Sequence, residues 1–139
     1  MKLSKPRFLL EFPPRAEDVS TARIFGAAIA RHFGCDETEI DDLKIALSEA
    51  CANAVRGTDS VEPVRVIVSV EGDDLAFEVE GGGWEARKEG ILQNDELPTG
   101  EHAASLGVEL IMTLFPDARV VEGPTGSSLR FAVKPGTAA

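Results

Sequence analysis

Two rhythms of hydrophobic and polar residues alternate along the chain, and each marks a kind of backbone. Arg7 to Phe12 (Arg-Phe-Leu-Leu-Glu-Phe) is short and apolar-rich, and Pro13-Pro14 closes it, which predicts a strand ending in a turn. From about Ala16 to Phe33, Val19, Ala22, Ile24, Phe25, Ala28, Ile29 and Phe33 fall near helical spacing, with Gly34 as a stop signal. Asp36 followed by Glu39 is a capping pair that opens a second helix running to about Arg56. Its apolar residues Ile40, Leu43, Leu47, Ala50 and Ala54 are three or four apart and share one face.

After Gly57 the period changes to that of strands. Val64 to Val70 and Leu75 to Val79 are rich in β-branched and aromatic residues, and Glu71-Gly72-Asp73-Asp74 between them is a hairpin signature. Gly81-Gly82-Gly83 follows, then a polar stretch to about Glu101 with little periodicity; a segment of that length within a domain is usually functional or disordered. A third helix is expected from about Ala103 or Leu106 to Leu114. Two last strands, Ala118 to Val121 and Ser128 to Val133, flank a turn at Gly123-Pro124-Thr125-Gly126, and the tail from Lys134 to Ala139 is expected to fray. The order β-α-α-β-β-loop-α-β-β predicts an α+β fold, a two-layer sandwich. Its sheet is expected to be mixed and mostly antiparallel, with three helices on one face.

Composition narrows the function. The length of 139 residues suits one domain over 1–139, and 43% hydrophobic residues can build its core. The net charge of −10 argues against direct nucleic-acid binding, since most of the surface would repel phosphate. It leaves room for a nucleotide, because backbone N–H groups can hold phosphates within an acidic protein. No run approaches the roughly 18 apolar residues of a membrane span, and the N-terminus lacks the pattern of a signal peptide. A cytoplasmic location is expected. Cys35, Cys51, His32 and His102 form no spaced metal motif, and the cysteines read as reduced, largely buried thiols.

Three segments offer chemistry. In Leu47-Ser48-Glu49-Ala50-Cys51-Ala52-Asn53-Ala54-Val55, Glu49 and Asn53 are four apart and lie on one side of the helix, one turn from each other. A carboxylate and a carboxamide among small residues suit magnesium, which takes oxygen donors and needs few from protein when phosphates supply the rest. The carboxylate could instead orient or deprotonate a hydroxyl. Val79-Glu80-Gly81-Gly82-Gly83-Trp84, at a strand end, lets backbone approach a ligand. Ser105-Leu106-Gly107-Val108-Glu109-Leu110-Ile111 runs a small-residue turn into a helix, whose start offers N–H groups to phosphate. Taken singly, each also fits a plain reading: an exposed Glu with a tolerated Asn, a flexible strand exit, and a helix start capped by Ser105.

Taken together and in this order, the three segments resemble the GHKL (Bergerat-fold) ATPases, and among these the anti-sigma factor/serine kinases that regulate alternative sigma factors. The likeness spans nearly the whole chain. Asp42 to Val55 is similar to the first nucleotide-binding box of that family, Leu106 to Ile111 to its third, and Gly126-Ser127-Ser128-Leu129-Arg130-Phe131 to its closing strand. The resemblance implies ATP and Mg2+ as cofactors, Glu49 as general base or water-orienting carboxylate, and Asn53 as magnesium ligand. It further implies Gly82 and Gly83 beside the nucleotide, and Ser105, Gly107 and Val108 along the phosphates. Ser127 would lie near the adenine, residues 84 to 104 would form a lid, and Arg56 could approach phosphate or partner. Two boxes depart from the pattern, the third having Ser105 where the family often has another Gly. The family has Asp-x-Gly-x-Gly where this chain has Glu80 and then Gly81-Gly82-Gly83, so Glu80 is the candidate acceptor for the adenine amino group. The implied partners are a sigma factor and an anti-anti-sigma (STAS) protein, which the chain would phosphorylate on serine to switch partner; homodimers are common among such proteins. The alternative is a non-catalytic binding module with a degenerate nucleotide site.

Overall fold

The structure, a computed structural model, describes residues 6–56, 62–81, 100–123 and 126–136. Its strands are β1 (Arg7–Phe12), β2 (Val64–Glu71), β3 (Asp74–Glu80), β4 (Arg119–Gly123) and β5 (Gly126–Val133). Its helices are α1 (Val19–His32), preceded by a 3-10 turn at Ala16–Asp18, α2 (Glu37–Arg56) and α3 (Gly100–Leu114). The strands form one sheet in the order β1-β2-β3-β5-β4, and among the described residues every neighbouring pair is antiparallel.

The local signals act as their chemistry requires. The Asp36 N–H donates to Glu39 Oε1 (2.8 Å) and the Glu39 N–H to Asp36 Oδ1 (2.9 Å), so the two residues cap the start of α2 reciprocally. Gly34, at φ +95°, ends α1: its N–H donates to the Arg31 carbonyl and the Cys35 N–H to that of Ala30. Gly72 (φ +65°) turns the β2–β3 hairpin between Glu71 and Asp74, which face each other in register. The tail is anchored further than expected, because the Gly136 N–H donates to Glu39 Oε1 at 3.1 Å.

The core lies between the helices and one face of the sheet. Leu75, Phe77 and Val79 of β3 point into it, as do Leu129, Phe131 and Val133 of β5, and Phe77 stacks on Phe131 at 5.4 Å. α2 lies between α1 and α3 and touches β2, β3 and β5. The predicted stripe Ile40, Leu43, Leu47, Ala50 and Ala54 is wholly buried, along with Ala46, Cys51 and Asn53. On α1 the predicted face is rotated. Ile24 is 69% exposed while Gly26 lies inside, where a Cβ would collide with Leu47 Cδ1. A missing side chain there lets the two helices approach.

The other sheet face carries crossed ion pairs. Arg65 on β2 reaches Glu11 on β1 (2.6 Å) and Glu80 on β3 (3.6 Å), while Arg130 on β5 reaches Glu78 on β3 (3.0 Å) and Glu71 on β2. Strand alternation explains this separation: odd-numbered core residues of β3 leave Glu78 and Glu80 facing outward.

Candidate functional site

α2 carries the central pair. Asn53 is fully buried, and its Nδ2 donates to the Glu49 backbone carbonyl at 3.0 Å, which fixes the amide against its own helix one turn back. Glu49 is half-buried. Their neighbour is Gly107 of α3, buried itself: a Cβ at that position would stand 2.6 Å from Glu49 Oε1 and 3.1 Å from Asn53 Nδ2. A carboxylate and an amide from one helix and a bare backbone from another, 54 to 58 residues away in sequence, therefore share one spot. On the far side of α2's small residues, a Cβ on Gly81 would come within 2.8 Å of the Ala54 Cβ, so the exit of β3 presses on the helix next to Asn53.

The carboxylate also borders open space. A groove of about 510 Å³ runs beside it, lined by Arg23 of α1 and by Asp41, Lys44, Ile45, Ser48 and Glu49 of α2. Arg23 Nη1 donates to Ser48 Oγ at 3.1 Å, and so ties the two helices beside Glu49. Glu49 thus stands where a side chain can meet both a small ligand against Gly107 and a second molecule in the groove. Arg23 was not among the residues expected at the site. Its one sequence signal is a cation beside the apolar face of α1, which is too common to single it out.

The remaining expected residues divide. Ser127 is buried on the helix-facing side of β5, in the alternation of Leu129, Phe131 and Val133. Val108 is buried in the core next to Gly107. Glu80 is not brought to the pair: it faces away from the helices and pairs with Arg65. The helix-facing residue at that end of β3 is the fully buried Val79, an alternation already legible in Leu75, Phe77 and Val79. Gly82, Gly83, residues 84–99 and the side chains of Arg56 and Ser105 lie outside the described residues. The third helix begins at Gly100, ahead of Ala103 or Leu106, and Ser105 and Gly107 lie within it and not at its start. Neither cysteine is a nucleophile at neutral pH. Burial pushes the Cys51 thiol up to about 12; burial first, then the charges of Glu39 and Asp36, push Cys35 up to about 11.

The donor set fits magnesium held together with phosphate. Glu49 offers hard oxygen atoms beside Gly107, whereas the Asn53 atom on that side is Nδ2, which donates to the Glu49 carbonyl, so Oδ1 is the Asn53 atom that would serve an ion. Among the described residues no cluster of three or more His, Cys, Asp or Glu could hold a metal unaided, so an ion here would draw its other ligands from a bound molecule. Also among the described residues, no helix is long and apolar enough to cross a membrane.

Comparison with known proteins agrees with this arrangement. Residues 12–133 match a family model described as histidine kinase-like ATPase domain. The chain is 30% identical over 126 residues to serine-protein kinase RsbW of Bacillus cereus, covering 84% of this chain and 79% of that protein. It is 30% identical over 125 residues to serine-protein kinase RsbW of Bacillus pumilus, covering 80% and 75%. Among solved structures, the RsbU and RsbW domains of a Mycobacterium tuberculosis protein superpose with a TM-score of 0.67 at 19% identity. That match takes in 93% of this chain but 32% of the other, so it speaks for the fold of one part of a longer protein.

Proposed function

Because the chain belongs to the histidine kinase-like ATPase domain family, together with the RsbW serine-protein kinases, we propose that it is an anti-sigma factor and ATP-dependent serine kinase. In this reading it holds a sigma factor and phosphorylates a serine of a STAS-type anti-anti-sigma partner, and the phosphorylation decides which of the two it binds. Such a role is exercised in the cytoplasm by a single domain spanning 1–139, with homodimerisation a property to test.

The observation that carries this reading is the approach of Gly107 to Glu49 and Asn53. Bound magnesium and ATP supply the phosphoryl group and neutralise its charge, and Asn53 would hold the ion. What the chain itself does is position. Glu49, bordering the groove, aligns the incoming serine hydroxyl and takes its proton. Gly107 keeps the carboxylate free of steric contact, and Ser127, on the same side of the sheet, lies toward the base. Arg23 fixes Ser48 and with it the wall along which the serine-bearing segment would enter.

Phosphotransfer from labelled ATP to a STAS partner, with wild type beside Glu49→Gln, tests the proposal. Loss of labelling in the variant with retained ATP binding is expected; equal labelling would remove Glu49 from the reaction. One observation favours a second reading. Gly81, which presses on α2 beside Asn53, has no side chain to accept from the base, and Glu80 faces away. A flat calorimetric titration with ATP and magnesium would leave a protein-binding module without catalysis.

A further inference from the structure

We propose that the groove beside Glu49 reads the sequence around the phosphoacceptor serine. It takes that serine in an extended segment with an apolar residue two positions away and a basic residue four positions away. This rests on the kinase reading above and names the segment that the same site accepts.

Three residues of α2 set the register. Asp41, Ile45 and Glu49 follow one another at steps of four, so they run along one side of the helix. All three line the groove of about 510 Å³. At about 1.5 Å per residue, Ile45 stands roughly 6 Å and Asp41 roughly 12 Å along the axis from Glu49. An extended chain advances about 3.3 Å per residue and turns every second side chain to the same face, so side chains two and four positions apart fall roughly 6.6 and 13 Å apart. A segment laid along α2 with its serine at Glu49 therefore sets the residue two away on Ile45 and the residue four away on Asp41. A helical segment would meet the same residues at positions four and eight, which makes the spacing a test of conformation.

The chemistry of each position follows from what is left uncovered. Ile45 is 42% exposed, whereas Ile40, Leu43 and Leu47 of the same helix are fully buried. An apolar side chain laid on it removes that surface from water. Asp41 and Lys44 carry opposite charges three positions apart, yet among the described residues neither has an ion pair or a side-chain hydrogen bond. Arg23, by contrast, is engaged with Ser48. Asp41 is thus open to a basic residue at the outer end of the groove. Lys44, roughly 4.5 Å closer to Glu49 along the axis, repels the same residue from any inner position and so fixes the register.

Fluorescence anisotropy with short synthetic serine peptides tests this. One pair carries Leu two and Arg four positions from the serine, either before it or after it; further peptides exchange Arg for Glu or move the two residues to positions four and eight. One peptide of the first pair is expected to bind, and exchange of its Arg for Glu should weaken binding about fivefold or more. Asp41→Lys should reverse the preference between Arg and Glu, and Ile45→Ser should weaken the Leu peptide but not one with Gly in its place. An unchanged preference in Asp41→Lys, tighter binding of the wider spacing, or no binding by any peptide would overturn the proposal. Phosphotransfer to a STAS partner, run beside it, keeps the two readings apart. A raised KM with unchanged kcat in both variants would support the groove's role; wild-type kinetics in both would overturn that role and leave the kinase reading standing. A partner that wild type does not label would count against the kinase reading itself.

Discussion

Gly107→Ala separates the fold from the chemistry. The added methyl would lie 2.6 Å from Glu49 Oε1 and 3.6 Å from Glu49 Cδ, against a carbon–oxygen contact of about 3.2 Å or more. The closer atom is the end of a half-exposed, rotatable side chain, so it moves and the backbone stays, while buried Asn53 Nδ2, 3.1 Å from the new Cβ, gives by a few tenths of an ångström. Alanine is also about 1 kcal/mol better than glycine inside a helix, which for a domain of this size raises the melting temperature by about 3 °C. The variant is therefore expected to be at least as stable as wild type. A carboxylate displaced by more than half an ångström, by contrast, is misaligned for its hydroxyl, and errors of about 1 Å cost ~100-fold in rate. Thermal melts and phosphotransfer assays on the same preparation check this. Wild-type labelling by a folded variant would refute the role given to the contact, and a melting point lower by several degrees would refute the idea that Glu49 yields.

Further expectations are open to direct measurement. Glu80→Gln should leave ATP affinity unchanged and shift stability by less than about 1 kcal/mol, since its partly exposed pair with Arg65 lies on the far sheet face; a tenfold loss in calorimetry would place Glu80 at the base after all. Gly26→Ala should destabilise by about 1–2 kcal/mol in urea unfolding, because the new Cβ meets buried Leu47 with Phe77 behind it, and the helix gain only partly offsets the overpacking. Folding keeps Cys51 protonated, with its thiol at about 12 against an ordinary 9.0. Its contribution is thus intact below pH 9 and is lost as pH rises above 9, because only the unfolded chain then releases the proton. At pH 10 that loss is on the order of 1 kcal/mol, so the stability gap between wild type and Cys51→Ala should narrow by that order between pH 8 and pH 10. A gap constant with pH would show that the thiol is not shielded.

Much of this molecule was legible in residue order because its strongest signals are local. The α2 stripe, the Asp36–Glu39 cap, the Gly34 stop and the Gly72 hairpin each involve residues within a few positions of one another, and all four are realised. Glycine misled in one place. Gly26 reads as a weak helix position, yet it turns α1 inward because Leu47 fills the space it leaves, and Ile24 faces out in consequence. The orientation of Glu80 was available from strand alternation, but attention to its charge obscured the period. Two features were beyond the sequence. The meeting of Gly107 with Glu49 depends on how α3 packs on α2, and the start of α3 at Gly100 depends on a balance between alanines and glycines that no single residue decides.

Glu39 links the amino-terminal end of α2 to residue 136, a partner 97 positions away, through the same carboxylate oxygen that completes its cap. Contacts so distant in sequence form late, since the loop they close is long. During synthesis on the ribosome the helix that bears Glu49 and Asn53 will therefore acquire its last anchoring bond only after β5 has joined the sheet, and catalytic competence should arrive with the final strand.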